Sequence, residues 1–141
     1  MEELLVYLIL SYEKIITYDL YQKKLDLLFM ESPDNEILLN LEWETDIKRA
    51  LIYARANMDY QNFNYKIFGK ILMSNLKEYY DNCQDINIFA NKMYSLWTSL
   101  PSYIQNEEPF WTLSYADDSL TYADEEQVCF LYKKILNYYV D

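Results

Sequence analysis

Any chemistry carried out by this chain has to be done without an imidazole. Its 141 residues contain no histidine, one glycine and two cysteines, with 23 Asp and Glu against 12 Lys and Arg, a formal charge of −11. Ser-His-Asp and Cys-His catalysis, ordinary catalytic zinc and histidine-ligated haem all use that ring as base or ligand, so these classes are excluded. The single glycine, Gly69, also excludes a P-loop and a dinucleotide fingerprint, which need several glycines around a phosphate. What remains is chemistry by carboxylates alone, as in glycoside hydrolysis, and no spacing marks two of them as acid and base. Asp117-Asp118 lacks the D-x-D-x-D-G loop and the later bidentate glutamate of a calcium site. Cys83 and Cys129 lie 46 positions apart and belong to no C-x-x-C pattern, so they read as buried or inert thiols rather than a disulfide. The expectation is a protein that is not an enzyme and holds neither metal nor cofactor.

The carboxylates are concentrated. Residues 25–47 carry Asp26, Glu31, Asp34, Glu36, Glu42, Glu44 and Asp46 and no base; residues 93–132 carry Glu107, Glu108, Asp117, Asp118, Asp124, Glu125 and Glu126, again with no base. Outside these segments the chain is slightly basic, so the negative field is local. Solvated loops and helix starts account for part of it, since the helix dipole favours Asp124, Glu125 and Glu126 at an N-terminus. The second segment adds Tyr103, Phe110, Trp111, Tyr115 and Tyr122 among its acids, with Pro101 and Pro109 stiffening the connections. Tyr and Trp bury a large rigid area at low entropic cost and dominate binding hot spots. The candidate partner-binding set is therefore Glu107, Glu108, Trp111, Tyr115, Asp117, Asp118, Tyr122, Asp124, Glu125 and Glu126. A pI near 4.3 makes the matching partner basic, and argues against direct binding to nucleic acid or an anionic membrane.

Helices must position these residues. Apolar residues at 4, 5, 8, 12, 15 and 16 have helical spacing, and Asp19 with Gln22 resembles a capping box opening a helix to about residue 30, ended by Pro33. Ile47, Ala50, Leu51, Ala54 and Met58 mark a third helix with Thr45 as expected cap and both arginines on its exposed face. Phe68, Ile71, Leu72, Leu76, Tyr79 and Tyr80 mark a fourth, near 62–81, in which Gly69 costs about 1 kcal/mol against Ala. Asp85 opens a fifth, with the stripe Ile86, Phe89, Met93, Leu96, Trp97 and Leu100, closed by Pro101. Asp124 and Gln127 open a last one over about 124–139. Ile37/Leu39/Leu41/Trp43 and Trp111/Leu113/Tyr115 alternate and predict at most a two-stranded ribbon. The expected fold is all-α, a compact bundle of about six helices in a single domain spanning 1–141. The opening Met1-Glu2-Glu3 is acidic and the apolar run 4–10 is too short to span a bilayer, which predicts a cytoplasmic protein.

The helix over 4–16, the short break, and Asp19-x-x-x-x-Lys24-x-x-Leu27-Leu28-Phe29 resemble the opening of small helical bacterial immunity proteins of the colicin D group. The stretch from Leu96-Trp97-x-x-Leu100-Pro101 to Glu108-Pro109-Phe110 is also similar to such antidotes of colicin-type and contact-dependent growth inhibition toxins. The resemblance implies an acidic helical monomer that binds a basic nuclease domain, often an RNase, one to one, and occludes its active site by imitating the charge of nucleic acid. At 141 residues the chain is longer than the smallest of these proteins, and the additional C-terminal portion contains the favoured acidic segment. Two other readings stand beside it: an acidic nucleic-acid mimic that blocks a defence enzyme, and a carboxylate-only hydrolase.

Overall fold

The protein is described here as a computed structural model covering residues 1–118, 120 and 124–140. Among the described residues it is all-helical, with no strand: α1 (Glu2–Tyr12), α2 (Tyr18–Glu31), α3 (Glu36–Trp43), α4 (Ile47–Asn57), α5 (Tyr65–Asn82), α6 (Ile86–Ser99), α7 (Ser102–Gln105), α8 (Phe110–Leu113) and α9 (Glu125–Leu136). The six expected helices are present as α1, α2, α4, α5, α6 and α9. The additional helices are short, and two of them replace the expected ribbon. In α3, Leu38 and Leu41 face inward at helical spacing while Leu39 and Trp43 are exposed. The alternating pattern passed over Leu38, and the Asn35 side chain caps the turn by accepting from Ile37 N at 3.0 Å and Leu38 N at 3.1 Å. In the same way Phe110, Leu113 and Ala116 are buried at three-residue intervals, which is helical and not strand spacing.

Helix starts also differ from two of the expected caps. Thr17 is the N-cap of α2, without a side-chain cap bond, so Asp19 lies in the first turn, where it faces the helix dipole. Asp46, not Thr45, caps α4, its Oδ1 accepting from Lys48 N at 2.9 Å and Arg49 N at 3.1 Å. Arg49 is exposed and Arg55 half-buried. α1 stops before Ile15 and Ile16 because Lys14 adopts φ 62°, and Ile15 N donates back to Leu10 O at 2.8 Å, closing a Schellman-type end.

The chain divides into two compact units, Met1–Phe68 and Gly69–Asp141. In the first, α1 packs against α2 and α4, α2 against α3, and α3 against α4. α1 buries Leu4, Leu5, Val6, Leu8, Ile9 and Leu10, apolar on nearly every side, as a helix central to a core must be. Its start is held by Glu2 Oε1, which accepts from Asn64 N at 3.0 Å, and by the Glu3–Lys24 ion pair at 3.1 Å. In the second unit, α8 packs against α6, α7 and α9. Its centre is Phe89, whose ring meets Tyr80 and Tyr132 edge to face at 4.9 Å each. Edge-to-face pairs of this kind add about 0.5–1.5 kcal/mol beyond buried area.

Candidate functional site

In the second acidic segment, the local fold turns Trp111 and Tyr115 outward. Pro101 is buried at the end of α6, and the turn after it is clamped by a reciprocal pair: Trp97 Nε1 donates to Gln105 O at 2.9 Å, and Gln105 Nε2 to Trp97 O at 3.0 Å. A cis Glu108-Pro109 peptide then leads into α8. With Phe110 and Leu113 inward, helical geometry places Trp111 and Tyr115, four residues apart, on the opposite side, where they are 41% and 37% exposed. Their rings continue a row that begins on α6: Tyr94 to Trp97 at 6.0 Å, Trp97 to Trp111 at 6.2 Å, Trp111 to Tyr115 at 6.2 Å. The Thr112 hydroxyl donates to Glu108 Oε2 at 2.6 Å and lies 3.4 Å from the Tyr115 hydroxyl, tying an exposed carboxylate to the row.

Glu107, Glu108, Trp111 and Tyr115 are thus brought together on α8 and the turns on either side of it. Asp117 is half-buried and Asp118 exposed, one helical turn beyond Leu113. Burial pushes the Asp117 carboxyl above its ordinary pKa against its own backbone hydrogen bond, and the charge of Asp118 adds to the rise. Asp124, Glu125 and Glu126 belong to the start of α9: Asp124 Oδ1 accepts from Gln127 N at 3.1 Å, and the two glutamates line a shallow cavity of about 400 Å³ with Cys129, Phe130 and Lys133. Tyr122 lies outside the described residues. Tyr94 and Trp97 were missed as surface groups. Trp97 belongs to the stripe that reads as core, Tyr94 lies outside that stripe, and only the packing of α8 brings the two into one row with Trp111.

The first acidic segment is organised differently. Gln22 Nε2 donates to Asp26 Oδ1 at 2.9 Å and to Glu42 Oε2 at 3.3 Å, so α2 and α3 meet through two carboxyl groups and one amide. Burial, a hydrogen bond to Asp26 and the Asp26 charge push Glu42 up to about 7, against the lowering effect of Gln22. Glu42 Oε1 and the Tyr21 hydroxyl are buried without a hydrogen-bond partner. Beside this cluster Trp43 is 80% exposed. Asp46 is spent on its cap, and Glu36 lies in the first turn of α3.

Comparison with known proteins finds no matching family model, no matching curated protein and no matching solved structure. Among the described residues no three Cys, Asp or Glu side chains cluster as a metal site requires, and no helix is long and apolar enough to cross a membrane.

Proposed function

We propose that the protein is a cytoplasmic immunity protein that binds and neutralises a basic nuclease domain, RNase-like in its need to hold phosphate, through the surface built on α8. The observation that carries this reading is the ring row Tyr94–Trp97–Trp111–Tyr115, half exposed and edged by Glu107 and Glu108 in a segment without a base. A nuclease groove is lined with Lys and Arg to hold phosphates, and an acidic surface with rigid aromatic anchors complements it in both charge and hydrophobic area. Long-range attraction sets the encounter rate, and the buried rings set the lifetime. The mimic reading shares this physics but calls for carboxylates spaced along an extended face, and the aromatic row favours one focal patch. A hydrolase pair keeps its carboxyls about 5–9.5 Å apart around substrate or water. Asp26 and Glu42 are instead bridged by one amide, Gln22 Nε2, which donates to both and stands where substrate or water would have to lie.

The test is co-expression with the product of the adjacent gene, pull-down, and association kinetics over a range of salt. A one-to-one complex that silences a basic nuclease is expected. Changing Glu107 and Glu108 to Gln and Asp117 and Asp118 to Asn should slow association and flatten its salt dependence, with dissociation little changed. Trp111→Ala or Tyr115→Ala should instead speed dissociation, at a cost of about 2–4 kcal/mol, with thermal stability close to that of the parent because both rings are partly exposed. If the four-carboxylate variant binds with unchanged rate while the equivalent change at Glu31, Asp34, Glu36 and Glu42 weakens binding, the interface is the first segment. Failure to bind any basic nuclease would remove the reading itself.

A further inference from the structure

Cys83 and Cys129, 46 positions apart, line the same cavity of about 220 Å³, together with Tyr80, Gln84, Asp85, Ile86 and Phe89. Both thiols are half-buried and free, so neither is part of the core as their residue type suggests. The cavity places them by different routes. Cys83 follows Tyr80 by three residues, just past the end of α5, and its thiol donates to Asp85 O at 3.5 Å. Cys129 lies in the first half of α9, and with burial it helps to push the Tyr80 phenol up to about 12. The Tyr80 ring, held edge to face against Phe89 at 4.9 Å, is part of the same lining. Cys129 also lines the neighbouring cavity with Glu125, Glu126, Phe130 and Lys133, so the residue borders two cavities.

We propose that Cys83 and Cys129 are a dithiol pair that closes to an intramolecular disulfide by exchange with a low-molecular-weight disulfide. The Cys129 thiolate attacks one sulfur of the reagent and expels the other as a thiolate, leaving a mixed disulfide. The Cys83 thiolate then attacks the Cys129 sulfur, forms the protein disulfide and expels the second reagent thiol; the two thiol protons end on the two released thiolates. The protein loses two electrons and the reagent gains them. Closure brings the Cα atoms within about 7 Å. Cys83 belongs to the non-helical link between Asn82 and Ile86, where one backbone bond, from Cys83 N to Tyr80 O at 3.2 Å, ties it to the end of α5. Within four residues of either cysteine the charges are Asp81, Asp85, Glu125 and Glu126 against Lys133, a net negative balance that favours a cationic reagent over an anionic one.

The test is incubation of the full chain with cystamine, a small dicationic disulfide, followed by intact mass, alkylation of remaining thiols and thermal unfolding. Closure should lower the mass by about 2 Da, protect both cysteines from alkylation together, and raise the unfolding temperature, all reversed by dithiothreitol. Cys83→Ser and Cys129→Ser should each stop at a single stable adduct of about 75 Da. A parent chain that ends with one or two such adducts, forms a disulfide-linked dimer, or keeps both thiols alkylatable would overturn the pairing. The parent chain alone decides the result, so a poorly folding variant leaves it intact.

Discussion

Glu42 is half-buried beside another carboxyl, and that makes it sensitive to pH in a direction opposite to most paired acids. Its ordinary pKa is 4.5 and its folded value about 7. The folded chain therefore binds a proton that the unfolded chain has already released. Stability from this group is greatest below the unfolded value and declines as pH rises from about 4.5 through 7. The rise comes first from burial and then from Asp26, and the Gln22 amide opposes it; Tyr18 is close enough for its own phenol to be raised by burial and by both carboxylates. Glu42→Gln imitates the protonated acid in volume and in its ability to donate. Thermal unfolding from about pH 5 to pH 8 should show a steeper loss for the parent than for this variant; parallel curves would mean that Asp26 and Glu42 do not share a proton. Neither residue is marked as special in the sequence, because the pairing depends on where α3 folds back on α2.

Among the helices, Gly69 in α5 shows how packing can reverse the sign of a propensity. Ala in its place is worth about 1 kcal/mol to a helix on propensity alone. A Cβ at this position, however, meets the hydroxyl and Cζ of Tyr139 and lies 2.6 Å from its Cε2. Tyr139 follows α9, is half-buried, and has its phenol pushed up to about 12 by burial and by Tyr138. Gly69→Ala must displace that ring and should lower stability in the parent chain, whereas in a Tyr139→Ala background the same change should raise it by up to about 1 kcal/mol. Denaturant titration of the four proteins checks the cycle, and additive effects would show that the ring does not use the space. Periodicity alone made Gly69 a tolerated weak point, because a contact 70 positions away leaves no trace in the local pattern. The caps Asp85 and Asp124, by contrast, were legible: each side chain accepts from its own helix start, Asp85 from Asn87 N and Asp124 from Gln127 N.

Over the whole molecule, a charge of −11 spread as two acidic segments makes self-repulsion a general cost of folding. The ion pairs Glu3–Lys24 and Glu2 with the N-terminal amine involve partly exposed groups, for which screening loses little. Raising sodium chloride from about 10 mM to about 150 mM shortens the Debye length from about 30 Å to about 8 Å and should raise the unfolding temperature. A fall would show that attractive pairs outweigh the repulsion. The charge, the missing histidine and the 3.6-residue stripes are properties of the sequence itself, because they depend only on composition and on neighbours within a few positions. They determine an acidic, all-helical chain and exclude imidazole chemistry. The tertiary structure alone decided which side chains from distant positions share a space: Trp97 beside Trp111, Gln22 between Asp26 and Glu42, Cys83 and Cys129 on one cavity. Such neighbours arise where helices pack, and packing depends on side-chain shape across many residues at once, which no local spacing encodes.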